Sequence, residues 1–498
     1  MFRVLGSPKK LCDGVTRRDL LQIGGASLAG LSLPQLLSQN AQAHSELRPG
    51  FGKAKNCIVL FLYGSPSQLE TFDMKPDAPA EVKGTIKPIA SSLPGLDVSE
   101  LLPNMARVMD RCSVIRSCTH PYPIHGVAYA MTGTGFVDVG MELNPRDERH
   151  HPYFGSCVEY VDRQRRGGQP HEFVQNVALP FPFSSKRTDQ PFRAGPYGAF
   201  LEGSFQPVWT EFFGQGTVNI HKDRTGFSYD GPEPYVGCSR DSHFRLAAVD
   251  SNPDVTLDRL NRRKSLLSQF DDGRRDLDRS FPGQSLSKFQ QMAYSIVASP
   301  KVREALDVRH ESDAIRDRYG MTLFGQSCLA ARRMVEAGSR LVSVFWDEYG
   351  LAGDAWDTHD QHFPRMHDQL CPGLDKAFAG LILDLEERGL LDDTLVVLMS
   401  EHGRTPKIAG VRGGGRDHWS QAYSTVFAGG GTPRGKVIGA TDSIAGQVTD
   451  RPISPKSMLA TMYHLLGIDP FLTHLKNRDG QEVPLVPETA EIIPELIA

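Results

Sequence analysis

Asn56-Cys57-Ile58-Val59-Leu60-Phe61-Leu62-Tyr63 is a nearly unbroken apolar run, and it ends in Gly64-Ser65-Pro66-Ser67. A run of this length with turn residues at its end predicts a strand buried on both faces of a parallel sheet. Arg340 to Trp346 and Asp393 to Ser400 repeat the pattern, and Ser113 to Arg116 is a shorter strand. Helical spacing runs over Leu101–Arg111, Gly126–Met131 and Val302–Ala337. From Leu374 to Arg388 the apolar positions Leu374, Phe378, Leu381, Ile382 and Leu385 share one stripe, with Gly389 as the stop. Strands alternating with helices predict an α/β fold, a largely parallel central sheet sandwiched between helices. We expect one domain from about residue 50 to 498, with a loop-rich insertion around 140–290, where Pro, Gly, Phe and charge are frequent. Sites in such sheets gather at the carboxyl ends of the strands.

The N-terminus follows another logic. Thr16-Arg17-Arg18-Asp19-Leu20-Leu21 is a twin-arginine pattern, followed by an apolar run to Leu37 and by Ala41-Gln42-Ala43. Residues 1–43 therefore read as a twin-arginine signal peptide cut before His44. The export machinery would be a partner, and the mature protein is expected in the periplasm or secreted. Gly24, Gly25, Gly30, Gln22 and Pro34 make the run too weakly apolar for a stable transmembrane span. The full chain of 498 residues carries a formal charge of −4. Residues 1–43 hold five basic and two acidic side chains, so the mature chain is more acidic still. With no Lys/Arg block, nucleic acid is not an expected partner. Eight cysteines are spread thinly, without a CxxC pair. Cys112 and Cys118 are candidates for a disulfide after export.

Three polar clusters follow strands. Glu70-Thr71-Phe72-Asp73 follows the first, and Trp356-Asp357-Thr358-His359-Asp360-Gln361-His362 follows the strand ending at Trp346. Glu401-His402-Gly403-Arg404 follows Ser400, with Arg416-Asp417-His418-Trp419 beyond Gly413-Gly414-Gly415. Carboxylates and imidazoles are the ligand set of zinc; oxygen-rich sets move the preference toward calcium, magnesium or manganese. Taken singly, each cluster also reads as a surface pair, a helix cap or a flexible loop. Their joint occurrence after strands is what points to one or two divalent ions.

The stretch Asp393 to Gly403 resembles the signature of the alkaline phosphatase/sulfatase superfamily, in which a strand runs into an Asp-His-Gly metal motif; Glu401 stands for the Asp. Ser457 to Ile468 resembles a late helix of the same superfamily, and His418 lies sixteen residues after His402, where that superfamily places its last metal histidine. Gly64 to Asp73, Trp356 to His359, Ser400 to Pro406 and Gly415 to Trp419 are together similar to a poorly characterised family of twin-arginine-exported, sulfatase-like proteins. The resemblance implies an alkaline phosphatase-like fold and a metal-dependent hydrolase of sulfate or phosphate esters, with an anionic ester such as a sulfated glycan as substrate. Asp73, Asp357, His359, Glu401, His402 and His418 would hold the metal, with His359 preferred over His362. Arg404 and Arg416 would clamp anionic oxygens.

There are departures from the pattern. Gly64-Ser65 stand where sulfatases place two acidic ligands, and no C/S-x-P-x-R motif exists. Thr119, His120 and His125 are the nearest side chains that could act, with water as the first choice of nucleophile and Thr119 as the covalent alternative. The missing nucleophile motif keeps a second reading open: a non-catalytic exported binding or envelope protein with the same fold.

Overall fold

The strand expected at Asn56–Tyr63 forms β1, Asn56–Leu62, in the middle of a nine-stranded sheet in the computed structural model. The structure describes residues 49–497 apart from 124, 126, 135–148, 170, 172, 189–192, 194, 202–204, 225–226, 247–298 and 352–354. The signal-peptide reading of residues 1–43 lies outside the described residues.

In chain order the other strands are β2 (Cys112–Cys118), β3 (Asn176–Leu179), β4 (Val208–Phe213), β5 (His243–Leu246), β6 (Leu341–Trp346), β7 (Thr394–Met399), β8 (Tyr423–Ala428) and β9 (Lys436–Ile438). They lie in the order β9-β2-β8-β7-β1-β6-β3-β4-β5. Only β8 and β5 run against the rest, so the sheet is largely parallel. β1 is flanked by parallel neighbours on both sides, with Leu62 opposite Trp346 and Phe61 opposite Met399. The carboxyl ends of β1, β6 and β7 therefore finish at one level.

Every side chain from Cys57 to Leu62, and every one in β6 and β7, is buried. Both faces of these strands are thus covered. Along β6 the faces alternate, as a pleat requires. Trp346 stacks on Tyr235 at 5.1 Å, whereas Phe345 meets Phe61 and Phe183. Helix α1 (Phe154–Arg165) packs on β3 and β6. Helix α2 (Leu323–Ala337) packs on β6, β1 and α3 (Cys371–Glu387). Thr322 caps α2 by accepting from the Gly325 N–H, and Gly338 ends it in the left-handed region at φ 115°. Helix α4 (Pro455–Leu465) corresponds to the expected late helix and packs on the short helix Val127–Thr132. Among the described residues no helix is long and apolar enough to cross a membrane.

Two expectations need correction, and the stretch 140–290 holds ordered elements besides its loops: its described part supplies α1 and the strands β3, β4 and β5. These strands are four to six residues long and bounded by Pro180, Pro207 and Gly214, too short for a clear alternation to emerge. Leu101–Arg111 forms only one helical turn, Pro103–Ala106, and a 3-10 turn, Met109–Arg111. Asp375 of α3 accepts the Asn104 and Met105 N–H groups there, at 2.9 and 2.7 Å. Cys112 and Cys118 sit at opposite ends of β2, about 20 Å apart at roughly 3.3 Å per residue. That is too far for a disulfide, and every described cysteine is free and buried.

Candidate metal centre

The carboxyl ends of β1, β2, β6 and β7 are where the chemistry collects. After β1 the chain turns at Gly64 (φ 94°), and the Trp356–Asp357 segment lies directly against it. A Cβ on Gly64 would come within 2.4 Å of the Asp357 N, so only glycine permits the approach. The Trp356 N–H donates to Tyr63 O at 2.9 Å, fixing Asp357 beside the end of β1. After β7, Glu401 and His402 follow directly, and Gly403–Arg404 pairs with His418–Trp419 to bring His418 back. After β2, the loop carries His120 and His125.

Asp357, His359, Glu401, His402 and His418, drawn from segments up to sixty-one residues apart, meet here. His125 joins them. Its Nδ1 lies 2.9 Å from Glu401 Oε1, and its Nε2 lies 3.1 Å from Asp357 Oδ2. Glu401 is held on all sides: Gly64 N–H donates to Oε1 at 2.7 Å, and the Ser400 hydroxyl to Oε2 at 2.8 Å.

Three histidines share one arrangement. His402 Nδ1 bonds the Gly403 carbonyl at 2.8 Å, His418 Nδ1 the Pro123 carbonyl at 3.2 Å, and His359 Nδ1 the Asp417 carboxylate at 2.6 Å. Those oxygens only accept, so each Nδ1 carries a proton. This is how proteins prepare metal-binding imidazoles. Burial holds His402 and His418 below the ordinary histidine range and leaves Nε2 of each with a lone pair. His359, raised chiefly by its contact with Asp357 Oδ1 at 2.9 Å, must release its Nε2 proton before it can ligate. His402 Nε2 is buried without a hydrogen-bond partner. His418 Nε2 lies 3.0 Å from His359 Nε2 and 3.5 Å from Asp357 Oδ1.

The electrostatics agree with the geometry. Burial would raise the Asp357 carboxyl, but His125 and Arg404 hold it well below the usual range. Burial opposes ionisation of Glu401 too, and its hydrogen bond to His125 brings it down. Burial and then the His125 charge hold His402 well below the ordinary histidine range. His125 goes the other way: burial lowers it, but Asp357 and Glu401 lift it to about 9. The two buried carboxylates thus demand a positive charge between them. The donor set, the prepared Nε2 atoms and the unpartnered His402 nitrogen all fit a divalent ion.

Other candidates lie elsewhere. Asp73 is fully buried but turned away, bonded to the Thr441 hydroxyl and 3.0 and 3.6 Å from Lys75 and Arg116. Thr119 donates its N–H to Ile453 O and lines a cavity with Ser454, Ser457 and Glu491, none of which belongs to the cluster. Neither arginine is open to an ester. Arg404 is fully buried and donates to Gly64 O, Ser65 O, Arg416 O and Asp357 Oδ1. Arg416, also fully buried, donates to Glu70 Oε1 at 2.5 Å and to the Val82, Thr405 and Pro406 carbonyls. His362 bonds Glu70 and Thr358 instead of joining the cluster. Sequence reasoning missed Ser65 and Ser400, which brace the centre. Ser65 has φ 69°, and its Oγ accepts from the His402 N–H at 3.3 Å. A serine between a glycine and a proline at a strand end was the available signal.

The fold and this cluster define an α/β protein with a histidine–carboxylate centre at the carboxyl ends of a largely parallel sheet. The chain belongs to the family described as "Protein of unknown function (DUF1501)", which matches residues 54–497. No curated protein matches its sequence. Among solved structures it is similar to the PsFucS1 sulfatase from Pseudoalteromonas sp., at 12% identity over 86% of this chain and 70% of that one, with a TM-score of 0.36. It is also similar to the phosphonate monoester hydrolase SpPMH from Silicibacter pomeroyi (10% identity, 83% and 73% of the two chains, TM-score 0.33). A third is the lipoteichoic acid synthase LtaP from Listeria monocytogenes (11% identity, 88% and 76%, TM-score 0.33).

Proposed function

We propose that this protein is an exported hydrolase of sulfate or phosphate esters that uses one or two divalent ions held by Asp357, His359, Glu401, His402 and His418. The observation that carries the reading is the shared arrangement of His359, His402 and His418, each with Nδ1 on an oxygen acceptor, with Nε2 of His359 and His418 beside Asp357 and Nε2 of His402 buried without a partner. Imidazoles outnumbering carboxylates favour zinc over calcium, magnesium or manganese. When bound, such an ion polarises the ester oxygen and makes an attacking water more acidic. The chain's own groups do the rest. His359 and His418, 37% and 25% exposed, form the open side on which an anionic ester such as a sulfated glycan would arrive. Asp417 holds the His359 ring from behind. The hydroxyls beside the centre, Ser65 and Ser400, are fully buried, so water is the nucleophile of choice.

Export rests on Arg17-Arg18, and places the mature protein in the periplasm or outside the cell. Replacing both with lysine should strand precursor in the cytoplasm; mature protein outside the cell at normal yield would rule out this route.

One observation favours the non-catalytic reading: both arginines expected to grip the anion are committed internally. Elemental analysis of the purified protein beside a panel of sulfate and phosphate esters separates the two. Hydrolysis that disappears with a chelator and returns with zinc or another divalent ion supports the enzyme. A metal-loaded, folded protein that turns over no ester supports the binding protein.

A further inference from the structure

We infer that His125 is a metal ligand in its own right, completing a donor group that the end of β1 leaves short; this rests on the metal-binding reading above. The donors fall into two overlapping groups, and within each the ligand atoms lie within 4.8 Å of one another. One is His125, Asp357, His359 and His418; the other is His125, Glu401 and His402. Without His125 the first group keeps three donors and the second only two. Two protein ligands are fewer than a zinc-type ion takes, roughly three in catalytic sites and four in structural ones.

The first strand cannot make up the number. It ends in Gly64 and Ser65, and both carboxylates downstream are engaged: Glu70 by Arg416 and His362, Asp73 by Lys75, Arg116 and Thr441. The loop after β2 supplies His125 instead. Its ring centroid is 4.0 Å from that of His418 and 5.2 Å from that of His402, and Tyr63 backs it at 5.4 Å. Nδ1 faces Glu401; Nε2 approaches Asp357 without the alignment of a hydrogen bond. Both polar contacts are therefore to other donors of the cluster, and a cation among them replaces these contacts without breaking any scaffold. His120, from the same loop, is the contrast. Its Nε2 bonds Glu401 O at 2.6 Å and its Nδ1 accepts the Tyr122 N–H at 3.2 Å, so both nitrogens serve the backbone.

The test is a cobalt(II) titration of metal-stripped protein, read by visible absorbance and elemental analysis, with circular dichroism to verify folding. The wild type should take up two ions and His125→Ala one, with uptake of the other weakened at least 100-fold. His402→Ala should lose the same ion, and the His125→Ala/His402→Ala double variant should be no worse than either single change. His418→Ala should lose the other ion. Should His125→Ala not fold, His125→Gln keeps an amide donor for Glu401 and replaces it in the series. A folded His125 variant with wild-type stoichiometry and affinity overturns the inference and leaves the metal reading intact. A wild type that binds a single ion overturns the two-group arrangement, and one that binds none overturns the metal reading as well.

Discussion

Arg404 donates from Nη2 to Asp357 Oδ1 at 2.6 Å, and the two side chains are only 0% and 8% exposed. The same guanidinium holds the carbonyls of Gly64, Ser65 and Arg416, so one residue ties the loop after β1, the Asp357 segment and the His418 segment together. Removing one partner of a buried ion pair typically costs about 3–5 kcal/mol. Arg404→Met should lose that much in urea unfolding. Arg404→Lys should recover only part of it, because an ammonium cannot reproduce the planar fork. If Arg404→Lys instead unfolds like wild type and raises only KM, the residue faces substrate and the tying role is wrong.

Glu70 makes a pH prediction. Burial alone would raise its carboxyl, but Arg416 and His362 bring it down to about 2. The folded value lies below the unfolded one, so the stabilisation is complete above the unfolded pKa and is lost as pH falls from about 4.5 toward 2. A shift of this size corresponds to about 3 kcal/mol. Between pH 5 and pH 3 the wild type should lose stability more steeply than Glu70→Gln, which lacks this stabilisation at every pH. Parallel stability–pH curves would show that the ionised carboxylate contributes nothing.

Ser65 offers a clean backbone test. Its φ of 69° is left-handed, a conformation that costs a non-glycine residue roughly 1–2 kcal/mol. Ser65→Gly and Ser65→Ala both remove the hydroxyl that accepts the His402 N–H. They differ only in the Cβ, so the glycine variant should be more stable than the alanine variant by about 1 kcal/mol. Equal stabilities would mean the turn does not hold that geometry in solution.

The sequence made the scaffold readable because strands buried on both faces leave an unmistakable apolar run. Cys57–Leu62, Leu341–Trp346 and Thr394–Met399 stand where the pattern places them. Asp357, Glu401 and His402 stood out because they follow such runs closely. What a single sequence withholds is direction. Asp73 is the right residue type, but eleven positions beyond Leu62 a 3-10 turn at Gln68–Glu70 intervenes and carries it to Lys75 and Arg116. Arg404 and Arg416 sit beside proposed ligands, yet what they bind is mostly backbone carbonyl, which no side-chain pattern records. The short strands β3 to β5 escaped notice because runs of four to six residues between prolines and glycines read equally well as loop.

Ser400 carries the last prediction. Its hydroxyl lies 2.8 Å from Glu401 Oε2 and 2.7 Å from Leu62 O, so one proton serves two acceptors. While it points to Glu401 it fixes that carboxylate against rotation, since Oε1 is already held by the Gly64 N–H. When a cation takes over Glu401, the proton can turn to Leu62 O and leave no buried donor unsatisfied. Residues that orient metal ligands in this way typically change metal affinity by about 10–100-fold when removed. Ser400→Ala should therefore weaken metal binding by that factor in a chelator competition while the fold persists. The lost affinity should fall on the ion that His402→Ala also loses. Undiminished affinity in Ser400→Ala would show that Gly64 and His125 orient Glu401 without it.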